Sequence, residues 1–203
     1  MLAVQRGASG PLAVGDLGAL PVRDGCVDAA AAGFVLNHLP PEPALREMAR
    51  AVRPGGVVFA STWDVHGVDP VKSVIDHRLR SLGWVPPVWY RRMKEEVDPI
   101  SGDPERLARA ARRAGLVDVG VAAQVVDVGL RDPAAVVAYR LATPHIAPWV
   151  AGLAPADQDR LRRDLAGEVA VEVPGWRPAV VFAHGWVRSQ SRSLAAARSR
   201  VGA

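Results

Sequence analysis

The sequence predicts an α/β protein on a mostly parallel sheet, and three segments carry that expectation. Leu12-Ala13-Val14-Gly15-Asp16 is a short apolar run ending in a carboxylate, Cys26 to Gly33 is a second run ending in glycine, and Val57-Val58-Phe59-Ala60-Ser61-Thr62 is a third. Apolar runs without alternation suit strands covered on both faces, the usual setting of parallel sheets. The four alanines at 29–32 would also suit a helix, so the second run stays open between strand and helix.

The helix between the second and third runs has a clear period. Leu45, Met48, Ala49 and Val52 recur at i, i+3, i+4 and i+7, with Arg46, Glu47, Arg50 and Arg53 on the other face. Pro54-Gly55-Gly56 is expected to stop it, because proline disfavours the helical conformation in Arg53. Further on, a helix is expected from about Val71 to Leu82. Asp103-Pro104 and Asp132-Pro133 each pair an N-cap aspartate with proline at the first helical position. The first of these helices carries the stripe Leu107, Ala110, Ala111, Ala114 and ends at Gly115, and the second should reach about Ala142. Between them, Val117, Val119 and Val121 alternate with polar or small residues as a strand, and a parity change after Gln124 implies a bulge or turn. Ala156 to Ala170 reads as an amphipathic helix around Leu161, Leu165 and Val169, and Pro178 to Val187 as the last strand.

Composition bounds the partners. The chain has 203 residues, 49% of them hydrophobic, enough for one substantial core and one domain. Residues 1–188 are read as that domain and 189–203 as a basic, flexible tail. The pI near 10.0 and net charge of +4 suggest nucleic acid at first sight. Yet Arg177, Arg188, Arg192, Arg198 and Arg200 are the only charged residues after Glu172, which leaves −1 for residues 1–172. The tail also lacks the stacking aromatics that single-strand binding uses, so nucleic acid is not the expected partner. No apolar run is long enough to span a bilayer and no leader pattern stands at Met1, so a cytoplasmic location is expected. Cys26 is the sole cysteine, which excludes intrachain disulfides and cysteine zinc clusters; it is expected to pack as a small hydrophobe in its strand. His66 and His77 lack the spacing of metal ligands.

The ordered set Gly15-Asp16-Leu17, Leu20-Pro21-Val22-Arg23-Asp24-Gly25-Cys26-Val27-Asp28, Gly33-Phe34-Val35-Leu36-Asn37-His38-Leu39 and Leu45 to Gly56 resembles the class I S-adenosylmethionine-dependent methyltransferases, in particular their type 11-like, small-molecule branch. The resemblance implies a Rossmann-like sheet with one antiparallel strand near the C-terminus, S-adenosylmethionine as cofactor and a small-molecule acceptor. It implies cofactor roles for Asp16 (adenine amino group), Leu17 (beside the ring), and Gly33, Phe34 and Asn37 at a strand exit. His38 is implied as a candidate catalytic base, against a plain hydrogen-bonding role. The resemblance further implies that 65–102 serves as a substrate lid and makes Trp63, His77, Trp89 and Tyr90 substrate-pocket candidates, against a role as a roof over the sheet. His184, inside the last apolar run, reads as a hydrogen-bonded core histidine.

The front departs from the family. Only 15 residues precede Asp16, whereas a βαβ unit takes about 30 or more. The family's glycine-rich loop and second-strand acid have no counterpart, and Met1-Leu2-Ala3-Val4 resembles the helix after that acid. The expectation is an N-terminally truncated fold lacking its first two strands, through an internal start, a shortened homologue, or strands supplied by a partner. Such a sheet would expose edges and apolar surface that a homo-oligomer or partner would cover, and cofactor affinity would be poor. The alternative function is a degenerate methyltransferase-like protein without catalysis, serving as a binding or partner subunit. The Asp/Asn-Pro-Pro-aromatic signature of the family's amide and nucleobase enzymes is absent, since Asn37-His38-Leu39-Pro40 stands there; oxygen, nitrogen and carbon acceptors stay open.

Overall fold

The computed structural model describes residues 13–172 and 175–189. Its centre is a four-stranded sheet of β1 (Val27–Gly33), β2 (Val52–Trp63), β3 (Leu116–Val125) and β4 (Ala179–Val187), in the order β1-β2-β4-β3. β1 lies parallel to β2, with Ala31 opposite Phe59. β4 is antiparallel to both β2 and β3, so β1, β2 and β3 share one direction and β4 alone is reversed. This is the mixed, Rossmann-like arrangement expected from the sequence, and the alanine run is a strand.

Helix α1 (Pro41–Ala51) makes the crossover from β1 to β2. It buries Ala44, Leu45 and Met48, and with α5 (Pro104–Arg113) it covers one face of the sheet. Leu107 and Ala111 of α5 meet Val58, Ala60, Val181 and Ala183 there. The Asp103 cap is as expected, its carboxylate accepting from Arg106 N at 2.8 Å. Gly115, at φ +94°, ends the helix in a conformation that glycine adopts without strain. The opposite sheet face leaves Phe59 48%, Phe182 42% and Trp186 39% exposed among the described residues.

The remaining helices are α2 (Pro70–Ser81), α3 (Val88–Arg92), α4 (Asp98–Ser101), α6 (Pro133–Leu141), α7 (Ala147–Ala151) and α8 (Pro155–Glu172); a π-helical turn, Met93–Val97, joins α3 to α4. Ile75 and Leu79, Val136 and Val137, Ile146, and Leu161, Leu165 and Val169 form a second apolar cluster from α2, α6, the entry to α7, and α8. The expected cap at Asp132 is present, accepting from Ala134 N at 3.0 Å.

Five local expectations need correction. Residues 13–16 form no strand: Asp16 makes only an isolated bridge to Ala19, and its carboxylate turns back to accept from Gly18 N at 2.8 Å. The segment is instead tied to α1, where Glu47 accepts from Leu20 N and Arg50 donates to Leu20 O, Val22 O and Asp24. Cys26 is exposed, because it stands just ahead of β1 rather than in it. Pro54-Gly55-Gly56 does not separate helix from strand, since β2 begins at Val52 and the register shifts between Val27 and Ala29 to absorb the extra residues. Gly56 is required at that shift: a Cβ would lie 2.4 Å from Asp28 O. The bulge in β3 falls earlier than Gln124, between Val117 and Gly120, with Asp118 at φ +49°. Gly120 leaves the space that the His184 ring fills, and among the described residues that ring contacts Trp186 edge-on rather than making a side-chain hydrogen bond. Residues 1–4 and all of the proposed tail beyond Ser189 lie outside the described residues.

Candidate functional site

A cavity of about 1100 Å³ opens where the carboxyl ends of β1 and β2 face the helical layer. Parallel strands leave their ligand crevice at this edge. Phe34 follows β1 directly, its N–H donating to Ser61 O at 2.9 Å and its backbone held at φ +53°. A phenylalanine in the left-handed region is strained, and such strain gathers where backbone must be aimed. It places the Phe34 ring 4.3 Å from Trp63, the last residue of β2.

Six side chains singled out from the sequence converge on this cavity together with Phe34: Asn37, His38, Trp63, His77, Trp89 and Tyr90. Asp16, Leu17 and Gly33 stand outside it. Asn37 is buried, its Nδ2 lying 3.3 Å from His38 Nε2, while its Oδ1 has no partner. With Asn37 Nδ2 as donor, the one lone pair of His38 Nε2 is engaged by that contact.

Sequence reasoning missed the polar floor. Asp76 of α2 accepts from Arg140 Nη2 of α6 at 2.7 Å, with side chains 6% and 12% exposed. Lys94 of the π-helical turn pairs with buried Asp98 at the start of α4. Lys72 of α2 joins neither pair. Burial first, then the cations Lys94 and Arg140, bring its ammonium down to about 8. His145, between α6 and α7, stacks on Tyr90 with centroids 3.8 Å apart and planes 5° from parallel. Burial, followed by Arg140, Lys72 and Lys94, pushes this imidazole down to about 3, so it is neutral at physiological pH. Trp84 Nε1 donates to His145 O at 3.2 Å and fixes the loop.

One sequence signal could have exposed part of this floor. Lys72 and Asp76 are four apart on one helix, as are Lys94 and Asp98, and these are the only two lysines of an arginine-rich chain. Arg140 and His145 come from distant segments, and no spacing joins them to α2. Among the described residues, no group of three or more His, Cys, Asp or Glu side chains is arranged to hold a metal ion. No described helix is long and apolar enough to cross a membrane.

Residues 1–60 match the family described as the methyltransferase domain. That segment runs through β1, α1 and most of β2. Among solved structures, the chain is similar to the [4+2]-cyclase SpnF (19% identity, TM-score 0.49, covering 93% of this chain and 61% of that one). It is also similar to phosphoethanolamine N-methyltransferase 2 of Haemonchus contortus (13% identity, TM-score 0.45, 86% and 36%). A putative sarcosine dimethylglycine methyltransferase from Galdieria sulphuraria gives 16% identity and TM-score 0.43, over 86% and 58%. The chain thus spans less than two thirds of each of these three structures. No curated protein matches the sequence.

Proposed function

We propose that this chain carries the acceptor side of an S-adenosylmethionine-dependent methyltransferase, with a small molecule held between the carboxyl ends of β1 and β2 and the helical layer. The observation that carries this reading is the convergence of Phe34, Asn37, His38 and Trp63 at the exit of the family-matched segment, facing an aromatic cavity. The buried, partnerless Oδ1 of Asn37 suits a polar cofactor atom at the same place.

The cofactor would supply a methyl group already activated on a sulfonium. The protein's task is then to hold the acceptor in line and exclude water. Trp63, Trp89 and Tyr90 give flat apolar walls. His38 takes the proton that a hydroxyl or ammonium acceptor must lose, its Nε2 exchanging the contact with Asn37 for one with the acceptor.

A second reading, a methyltransferase-like protein without catalysis, is favoured by Asp16, which sits on a turn outside the cavity rather than at a strand end. Transfer of tritium from S-adenosyl-[methyl-³H]methionine to a panel of small hydroxy and amino acceptors separates the two. Any protein-dependent transfer supports the first reading; none across the panel supports the second. Where transfer occurs, His38→Ala should lower turnover by roughly 10²-fold with little change in cofactor affinity. Equal losses in both would make His38 a positioning residue.

A further inference from the structure

We propose that the cavity selects an acceptor with a flat apolar body and a single carboxylate, the carboxylate docking on Lys72 and His145. This rests on reading the cavity as an acceptor site and adds the charge of the acceptor to it.

The argument begins with the pairing of charges on the cavity floor. Arg140 is matched by Asp76 and Lys94 by Asp98, each in direct contact. Lys72, from a third position close enough to feel both pairs, makes no side-chain hydrogen bond or ion pair with any described residue, although it is mostly buried. The nearby Asp69 is otherwise engaged, accepting from the Lys72 backbone N–H as helix cap and from Trp176 Nε1. Asp64, at the β2 end, accepts from His66 N. Lys72 is thus the cation of this floor with no direct carboxylate contact, while Asp64 and Asp69 also line the cavity and keep their own charges; a partly desolvated ammonium without a direct partner is costly unless a ligand or water meets it.

A second, independent observation points the same way. His145 is 7% exposed, and its Nε2 has no hydrogen-bond partner. The imidazole is held neutral and flat against Tyr90. In the Nε2–H tautomer it offers a carboxylate oxygen a donor without adding a second charge. A monoanion gives both groups a direct partner. Trp176 neighbours both Trp63 and Tyr139 on the wall, with ring centroids 6.0 Å and 4.8 Å from its own, and the three rings give the cavity an apolar side.

The test is isothermal titration of the chain, without cofactor, with 2-naphthoate, 2-naphthamide and 2-naphthylmethylamine. A charge-assisted contact predicts that naphthoate binds about tenfold or more tightly than either of the others. Lys72→Met should remove that preference while leaving naphthamide affinity unchanged, and Lys72→Arg should keep most of it; circular dichroism confirms that each variant is folded. Equal binding of the three probes, preference for the amine, no binding of any probe, or a preference that survives Lys72→Met would each overturn the proposal. Selective naphthoate binding by a chain that neither binds S-adenosylhomocysteine nor transfers methyl groups would sink the methyltransferase reading alone. Methyl transfer only to uncharged or cationic acceptors, without naphthoate selectivity, would sink the carboxylate proposal alone.

Discussion

Asp76→Ala is expected to destabilise the protein by about 3–5 kcal/mol, read as a fall in the urea midpoint with an unchanged slope. The magnitude follows from burial. Arg140 is 12% exposed and its Nε already lacks a partner, so loss of the Asp76 carboxylate would strand a guanidinium between α2 and α6 with Lys72 and Lys94 nearby. Removing one member of a buried pair costs far more than the pair contributes, because the survivor keeps its desolvation penalty. Asp76→Ala combined with Arg140→Met should therefore recover most of the loss. A single-variant loss below about 1 kcal/mol would mean that water reaches the pair, as it does at surface bridges.

Leu165→Ala is expected to cost about 2–5 kcal/mol, for a different reason. Leu161, Leu165 and Val169 lie four residues apart on α8 and are buried against Ile75 and Leu79 of α2 and Val136 and Val137 of α6. Leu165 is fully buried, so its truncation leaves a cavity at the centre of the layer that roofs the candidate site. Trp84 belongs to the same cluster and makes a local probe. Its emission should shift to the red at lower urea concentration than in the parent chain. No change in midpoint would show that the helices repack around the gap.

Legibility in the sequence followed the range of the interactions. Helices α1, α2, α5, α6 and α8 could be read because their caps, prolines and apolar periods are written within a few residues; the Asp103 and Asp132 caps form as the spacing implied. β1, β2 and β4 were readable as apolar runs. The strand expected at 12–16 failed over the described residues 13–16, where Asp16 satisfies Gly18 N in a local turn and Arg50 holds the following loop by its carbonyls. Side-chain to backbone bonds of this kind compete with a strand, and apolar pattern does not reveal them. The β3 bulge was legible in kind but misplaced, because its position is set by the His184 ring filling the space above Gly120 on the neighbouring strand.

The site divides along the same line. Phe34, Asn37, His38 and Trp63 were found because they fall at strand exits, positions that follow from the chain's local pattern. His77, Trp89 and Tyr90 were found as aromatic or polar side chains in the segment over the sheet. The Asp76–Arg140 pair spans 64 residues, and the His145–Tyr90 stack joins α3 to the loop between α6 and α7. Their chemistry depends on tertiary placement, as does the lowered proton affinity of Lys72.

The most direct test of the central reading is a ¹⁵N-resolved NMR titration of this chain with S-adenosylhomocysteine, carried to millimolar concentration to register weak binding. The account predicts chemical-shift changes concentrated at Gly33 to His38 and Trp63, at the carboxyl ends of β1 and β2. Changes confined to other parts of the molecule, or none at all at millimolar ligand, would contradict it.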